Sequence, residues 1–584
     1  MPTNIRTFTL FALAAIGACV IVYLCGWHIP LMEIDAVQYA NISREMLHNG
    51  QYLQLYDRGK DYLDKPPMLF WLSALSMRVF GISGAAYRLP SFLFSLVAIY
   101  STYRLALLFY RKEIALLSAV VLASCQALFL INHDVRTDTM LMGWVALTLW
   151  QMAAWYRTRS WGHFLLAAVA IAGGMMTKGP IAIMVPVFCF GPHFLLQRSY
   201  RQFFRWEYIP LLLIVGVLLV PMCIGLYEQY DLHPGKVIDR LTIKSGLRFF
   251  FWTQSFGRVT GESQWHENDS FFFLFQNMLW SFLPWIIFFV IGLVQDIRRL
   301  IDHKGRLPLA EEWISTGGFL VTYCALGSSH AQLPHYIFVV FPLAAIISAK
   351  AFYNIFFSET PAAGQTRRLK GERTLFTFHV VVFSLLWIAL LLLLFLPFAS
   401  ISRVLCWAAV IAAGGWIYLL TRKDGGHSRL LLLTVYTIVG INLFLNLGFY
   451  PALLDYQLGS VISREMKAQG IQPEQLYTYK MDEERALDFY TDHLYQPVND
   501  PSQLPPGSFI LTNRQGLDSL DRTAYQVPDS TDAQKGPDSP GAHPDLETVF
   551  TGGYFHVSTL TLPFLDPGKR DKELTPVYIL MKRK

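Results

Sequence analysis

The stretch YIPLLLIVGVLLVPMCIGLY, residues 208–227, decides the class of fold, because it runs for twenty residues without a charged side chain. At the rise of a helix, about 20 residues cross a hydrocarbon core about 30 Å thick. Runs of the same kind recur near 8–28, 87–108, 113–131, 139–156, 162–176, 179–196, 271–294, 313–328, 335–353, 375–397, 403–420 and 429–450. Lipid offers the backbone no hydrogen-bonding partner, so only helices or a closed barrel can span it, and these runs are too long for strands. The reading is an α-helical polytopic membrane protein with about thirteen transmembrane helices of that length. Composition agrees: of 584 residues, 53% are hydrophobic and 15% charged, and the mean hydropathy is +0.35, beyond what a soluble protein carries.

Short loops that keep arginine and lysine face the cytoplasm. One alternate set reads YRKE, YRTRSWGH, QRSYRQFFRW, QDIRRLIDHKGR, TRRLKGER and TRKDGGHSR. The opposite set mixes basic with acidic residues. An odd number of spans then puts the N-terminus in the cytoplasm and the tail beyond Tyr450 on the outer face. The first run is not followed by a cleavage pattern and reads as a retained helix. Much of the net charge of +6 is therefore topological, and nothing points to nucleic acid. All seven cysteines lie in or beside apolar spans, so neither a disulfide framework nor a cysteine metal site is expected.

A boundary at 455/456 separates the membrane domain, with outer loops 29–84 and 228–270, from a polar tail read as a small α/β domain over 456–584. In the tail, SREMKAQGIQPEQLYTY suggests a helix and then a strand. ALDFYTDH suggests a second helix, and SFILTNR, TVFTGGYFHVSTLTLPFL and PVYILMKRK suggest strands. The stretch QVPDSTDAQKGPDSPGAHPD reads as a disordered loop within it.

The chemistry gathers in the outer loops. EIDAVQYANISREMLHNGQYL puts Ile34, Val37, Ile42 and Met46 close to one helical face, with Asp35 near the helix start. That carboxylate either favours the helix N-terminus or does chemistry. YLDKPPMLFW follows, where the prolines halt a helix and Lys65 stands at headgroup level, as a snorkelling anchor or a ligand for an anion. INHDVRTDTMLMGW holds Asp134, Arg136 and Asp138 beside hydrocarbon, where charges need partners or a task. MMTKGPIA interrupts an apolar stretch with Lys178. The loop 228–270 offers Lys244, Arg248, Arg258, Glu262, His266 and Glu267, and SSHAQLPHYIFVVFPL offers His330, His335 and Tyr336. Transfer of a sugar from a polyprenyl-phosphate carrier needs such a kit: cations for the departing phosphate, a carboxylate for the acceptor's proton, and an apolar groove for the lipid tail. The rival class, a transporter or lipid flippase, would carry its polar residues near the bilayer midplane. A noncatalytic scaffold would tolerate substitution of Asp35 and Lys65.

The order of motifs resembles the GT-C membrane glycosyltransferases: DAVQYANISREM (35–46), YLDKPPMLFW (62–71), RLPS (88–91), RTDTML (136–141), TKGP (177–180), PW (284–285) and LPHY (333–336). The branch most similar to it contains the lipid A aminoarabinose transferases and the protein O-mannosyltransferases. The resemblance implies an inverting direct displacement. Asp35 would be the general base, and Asp138, or else Asp134, the second-loop aspartate. Lys65, Arg258, Tyr336, Lys178 and Tyr62 would meet the lipid phosphate of an undecaprenyl-phosphate-linked sugar donor. The acceptor would be lipid A, another envelope glycan or a protein hydroxyl. The resemblance further implies that Asp64 and His266 hold a structural zinc, a plain Asp/His hydrogen bond being the other reading. No nucleotide or catalytic metal is required, and the chain is expected to act as a monomer. Where the family often has an arginine three residues after the first aspartate, this chain has Gln38.

Overall fold

A computed structural model describes residues 5–238, 241–254, 257, 270–308, 311–357, 365–422, 428–524 and 546–582. The chain is mostly helical and divides into two compact units: Met1–His28, Ile42–Leu391 and Trp407–Asn446 in one, and Ile29–Asn41, Leu392–Cys406 and Leu447–Lys584 in the other.

The first unit begins with α1 (Ile5–Cys25). After α2 (Asp35–Asn49) come α3 (Met68–Phe80), α4 (Gly84–Phe109), α5 (Lys112–Ala123), α6 (Gln126–Ile131), α7 (Thr137–Thr158), α8 (Trp161–Lys178), α9 (Ile181–Leu196) and α10 (Tyr208–Leu226). Then follow α11 (Phe273–Ser281), α12 (Ile286–Asp302), α13 (Ile314–Gly327), α14 (Phe341–Phe356), α15 (Gln365–Phe395), α16 (Arg403–Thr421) and α17 (Ser428–Phe444). Among the described residues seven helices are long and apolar enough to cross a membrane: Ile5–His28, Gly84–Phe109, Tyr208–Asp231, Pro334–Phe356, Gly371–Phe395, Arg403–Thr421 and Arg429–Leu454. Met68–Phe80, Ile181–Leu196 and Ile314–Gly327 are shorter apolar helices. The protein is thus a multi-pass membrane protein.

Two of the expected spans are broken. The run 113–131 stops at Ala123 and restarts at Gln126, and the run 271–294 stops at Ser281 and restarts at Ile286. Pro284 cannot donate to a helix and disfavours a helical residue before it, which accounts for the second break. The breaks serve each other: Gln126 N donates to Leu283 O at 2.9 Å, and Trp285 Nε1 donates to Ser124 Oγ at 2.9 Å. The run expected from 335 starts as a 3₁₀ segment, Pro334–Val340, before α14.

Helix α4 packs on α3, α5 and α7; α7 packs on α8, and α8 on α10; α9 packs on α13. At the α4–α7 contact a Cβ on Gly143 would stand 2.6 Å from Phe94 O, so only glycine lets the backbones approach. Arg88, from the RLPS motif, is buried, with Nε donating to His133 O and Nη1 to Trp27 O, both at 3.0 Å. One guanidinium thereby satisfies two loop carbonyls that lipid would leave bare.

The second unit holds a four-stranded mixed sheet, β5 (Leu476–Tyr479), β6 (Phe509–Asn513), β7 (Leu546–Tyr554) and β8 (Thr575–Lys582), in the order β5-β6-β8-β7. Two short antiparallel ribbons, β1 (Tyr56–Asp57) with β2 (Lys60–Asp61) and β3 (Lys236–Ile238) with β4 (Leu241–Ile243), belong to the first unit. The pair β5–β6 is parallel and the others antiparallel. Strand alternation divides its core: Leu511, Val577 and Ile579 pack with Leu458, Ile462 and Met466, whereas Ile510, Tyr578 and Leu580 pack with Leu517 and Leu520. The helix Arg514–Ala524, which carries Leu517 and Leu520, was not expected from the sequence. The run TVFTGGYFHVSTLTLPFL is strand only to Tyr554. Beyond it Thr561 caps a helical turn, Leu562–Leu565, opened by Pro563. The expected disordered stretch lies outside the described residues.

Candidate functional site

The segment that carries Lys65 is anchored from one side. It folds as the ribbon β1 (Tyr56–Asp57) and β2 (Lys60–Asp61). Gln229, buried just beyond α10, accepts from Leu55 N at 3.1 Å and donates to Leu55 O at 2.8 Å and Asp61 Oδ1 at 2.9 Å. Tyr230 Oη donates to Tyr62 O at 3.0 Å. Gly225 lies so close to this segment that a Cβ would meet Leu53 O at 2.1 Å. Pro66 and Pro67 then fix the entry to α3, which leaves Lys65 held between a clamped ribbon and a helix start.

Asp138 is the second residue of α7 and is 1% exposed. Lys178 ends α8, where a cation suits the helix C-terminus, and Gly179 turns the chain with φ of 90°. Lys178 Nζ is ion-paired with Asp138 Oδ1 and stands 3.8 Å from the centre of the Tyr336 ring. His335 Nε2 lies 3.5 Å from Asp138 Oδ2. Lys65 Nζ is paired with Asp64 Oδ2, and Gln254 Nε2 donates to Asp64 O and, at 3.2 Å, to Asp64 Oδ1.

These groups converge. Lys65, Asp138, Lys178, Gln254 and Tyr336 line one cavity of about 140 Å³ whose remaining wall, from Leu141 and Ile181 to Val339, is apolar except for Ser329. Four residues singled out in the sequence, drawn from four separate segments, thus share one wall. Tyr62 lines a neighbouring cavity of about 20 Å³, to which Lys65 also contributes. Asp134 pairs with Arg136 at 3.1 Å and does not line the main cavity. Asp35 opens α2 and is grouped with the second unit. Arg258 and His266 lie outside the described residues. Asp64, expected beside a zinc, stands with Lys65 and Gln254, and among the described residues no group of three or more His, Cys, Asp or Glu is arranged to hold a metal ion. Gln254 and the contact of His335 with Asp138 were missed. His335 was visible in LPHY, but nothing in a sequence tells which carboxylate a histidine will meet.

A buried carboxylate, two lysines and a tyrosine on the wall of an otherwise largely apolar cavity define a helical membrane protein with a charged site among its helices. Comparison with known proteins adds likenesses of sequence and of fold. The family model of dolichyl-phosphate-mannose-protein mannosyltransferases matches residues 64–224. The undecaprenyl phosphate-α-4-amino-4-deoxy-L-arabinose arabinosyl transferase of Erwinia tasmaniensis is 27% identical over 331 residues, which is 55% of this chain and 55% of that protein. The protein of the same description from Shewanella sediminis is 24% identical over 433 residues, covering 71% of this chain and 72% of its own. The matched region thus spans about half of the Erwinia relative's length. Among solved structures, ArnT from Cupriavidus metallidurans in the apo state superposes with a TM-score of 0.67 at 18% identity, covering 88% of this chain and 95% of that one. Its undecaprenyl phosphate-bound form gives 0.64 at 19% identity, covering 89% and 94%. The chain thus has the ArnT fold, and its sequence is similar to the arabinosyl transferases and, over residues 64–224, to the protein mannosyltransferase family model.

Proposed function

We propose that the chain transfers a sugar from an undecaprenyl-phosphate donor to lipid A, another envelope glycan or a protein at the outer face of a bacterial inner membrane. The observation that carries this reading is the cavity where Lys65, Lys178 and Tyr336 face a common space beside buried Asp138. In the proposed reaction the acceptor oxygen attacks the anomeric carbon as the bond to the donor phosphate breaks, so the configuration inverts. The phosphate leaves with the electron pair and is met by the ammonium groups of Lys65 and Lys178 and by the Tyr336 hydroxyl. The general base that takes the acceptor's proton is Asp35, assigned from the order of motifs, with Asp138 holding Lys178 in position. Because the leaving group is an activated phosphate ester, neither a nucleotide nor a catalytic metal enters the reaction. The reading includes about thirteen spans, each near the length that crosses a bilayer, a cytoplasmic N-terminus, a periplasmic C-terminal domain and action as a monomer. The arginine-rich loops at 156–163, 197–206 and 295–306 support that orientation.

The test is saturable binding of undecaprenyl phosphate to the purified protein in nanodiscs, followed by transfer from a sugar-loaded donor. Lys65→Ala should weaken binding at least tenfold. Asp35→Asn should keep binding within about twofold and abolish turnover. Equal loss of binding in both variants would refute this division of roles, and no saturable binding by the wild type would refute the function.

A further inference from the structure

A second cavity, of about 300 Å³, lies among α7, α8, α9 and α10. It is separate from the first. At 100° per residue, Ile181 and Met184 of the first wall fall on one face of α9, and Ile183, Pro186, Val187 and Phe190 of the second fall on the roughly opposite face. Apart from the hydroxyls of Tyr156 and Tyr208, the second wall is apolar. Along α9 it runs from Ile183 to Phe194, a rise of roughly 16 Å, close to half of a hydrocarbon core and so to one leaflet.

One end of this wall is polar. Tyr156 and Tyr208, both in the lining, share a hydrogen bond between their hydroxyls at 2.5 Å. Two guanidinium groups crowd the same place. Arg159 stands 4.9 Å from the Trp155 ring and 5.8 Å from that of Tyr156, and Arg205 stands 5.8 Å from Trp155 on another loop. Glu207 offsets one of these charges, pairing with Arg205 at 3.1 Å. Loss of water and the nearby Arg205 charge hold Arg159 below the usual arginine range. Trp161, Phe204 and Trp206, 59%, 88% and 65% exposed, sit on these same loops, as aromatic side chains do at headgroup level.

We infer that this cavity is a binding site for an anionic glycerophospholipid, with an acyl chain along α9 and the headgroup phosphate between Arg159 and Arg205. Two like charges drawn to one aromatic cluster gain most from an anion placed between them, and a wall one leaflet deep fits an acyl chain. The site lies apart from the residues proposed for sugar transfer and does not depend on that reaction.

The experiment is native mass spectrometry of the delipidated full chain in detergent, titrated with dioleoyl phosphatidylglycerol, dioleoyl phosphatidylcholine or inorganic phosphate. Phosphatidylglycerol should be retained at least tenfold more tightly than phosphatidylcholine, and inorganic phosphate should not displace it. The double variant Arg159→Ala, Arg205→Ala should lose most of that preference. Gly191→Leu offers an independent arm, because Gly191 lines the cavity and has open space at its Cβ. The leucine should fill the cavity and weaken phosphatidylglycerol at least fivefold, with undecaprenyl phosphate binding unchanged. Equal retention of the two lipids, or full retention of phosphatidylglycerol in a folded variant of either kind, would overturn the proposal. Displacement by inorganic phosphate would reassign the arginines to a free anion and overturn it as well.

Discussion

Asp138→Asn is the substitution that separates holding a lysine from holding a phosphate. In the protein Asp138 is buried and pairs with Lys178, itself 14% exposed at the side chain. Removing one member of a buried pair costs about 3–5 kcal/mol when nothing replaces it. Asparagine can still accept a hydrogen bond from the ammonium, and Tyr336 keeps its ring 3.8 Å from it, so the loss should fall at or below the lower end of that range. Binding should move the other way. A donor phosphate on Lys178 would place a second anion beside Asp138, with the two negative groups roughly 6 Å apart across one ammonium. At an effective dielectric constant of about 20 that repulsion is about 3 kcal/mol. Relief of even half of it tightens undecaprenyl phosphate by about tenfold. The assay is a titration of the lipid into wild type and variant, with thermal unfolding of both in its absence. A lower Tm combined with tighter binding is the expected pair of results. Weaker or unchanged binding would refute the argument, because Asp138 would then be helping the phosphate rather than competing with it.

Gln229→Leu removes three hydrogen bonds to the segment 53–61 and strands the Leu55 N–H, while the Leu55 carbonyl keeps only its bond from Tyr62 N at 2.9 Å. At about 1–3 kcal/mol for each buried group left unmade, the ribbon beneath Lys65 should open. Hydrogen exchange over residues 53–65 should rise, and undecaprenyl phosphate should bind more weakly although no contacting residue has changed. In the second unit, Glu33 and Glu484 share a hydrogen bond, and burial raises both. Burial and the Glu33 charge push Glu484 up to about 9. A carboxyl raised above its unfolded value binds its proton more tightly when folded, so stability should fall as pH rises from the ordinary glutamate range towards 9. Glu484→Gln should flatten that dependence when Tm is followed from pH 5 to pH 9, and an equal slope in the variant would exclude the pair as its source.

Hydropathy was enough to read the membrane class, because a run such as 208–227 has no soluble alternative. It could not read the interruptions. Ser124 and Cys125 sit in a stretch as apolar on one side as on the other, and what breaks the helix there is a partner, Leu283 to Trp285, over 150 residues away. The helix α3 was hidden for a related reason: Pro66 and Pro67 signalled a stop, yet a proline at the first turn of a helix is equally a start. The helix Arg514–Ala524 was lost among polar residues whose apolar members, Leu517 and Leu520, are few. Of the site, residue types and order were legible, whereas pairings were not. That Lys178 would meet Asp138, forty positions earlier, depends on α7 packing against α8 so that the start of one lies by the end of the other.

Those pairings alter what the cations can do. Bare lysines in an apolar cavity would attract any anion and would be expensive to keep charged, since desolvation favours the neutral amine. Here each has a resident carboxylate, Asp64 for Lys65 and Asp138 for Lys178, so the wall is close to neutral before an anion arrives. The phosphodiester of a polyprenyl-phosphate sugar carries one negative charge and can take the place of one of these carboxylates. A phosphate monoester, with more charge and more acceptor oxygens, can draw both ammonium groups at once, and the apolar wall that continues from them adds the affinity of a long hydrocarbon tail. In the proposed reaction the two lysines, held by partners they can leave, meet the charge that grows as the phosphate departs, which is why charge removal at Asp138 should tighten undecaprenyl phosphate binding while charge removal at Lys65 weakens it.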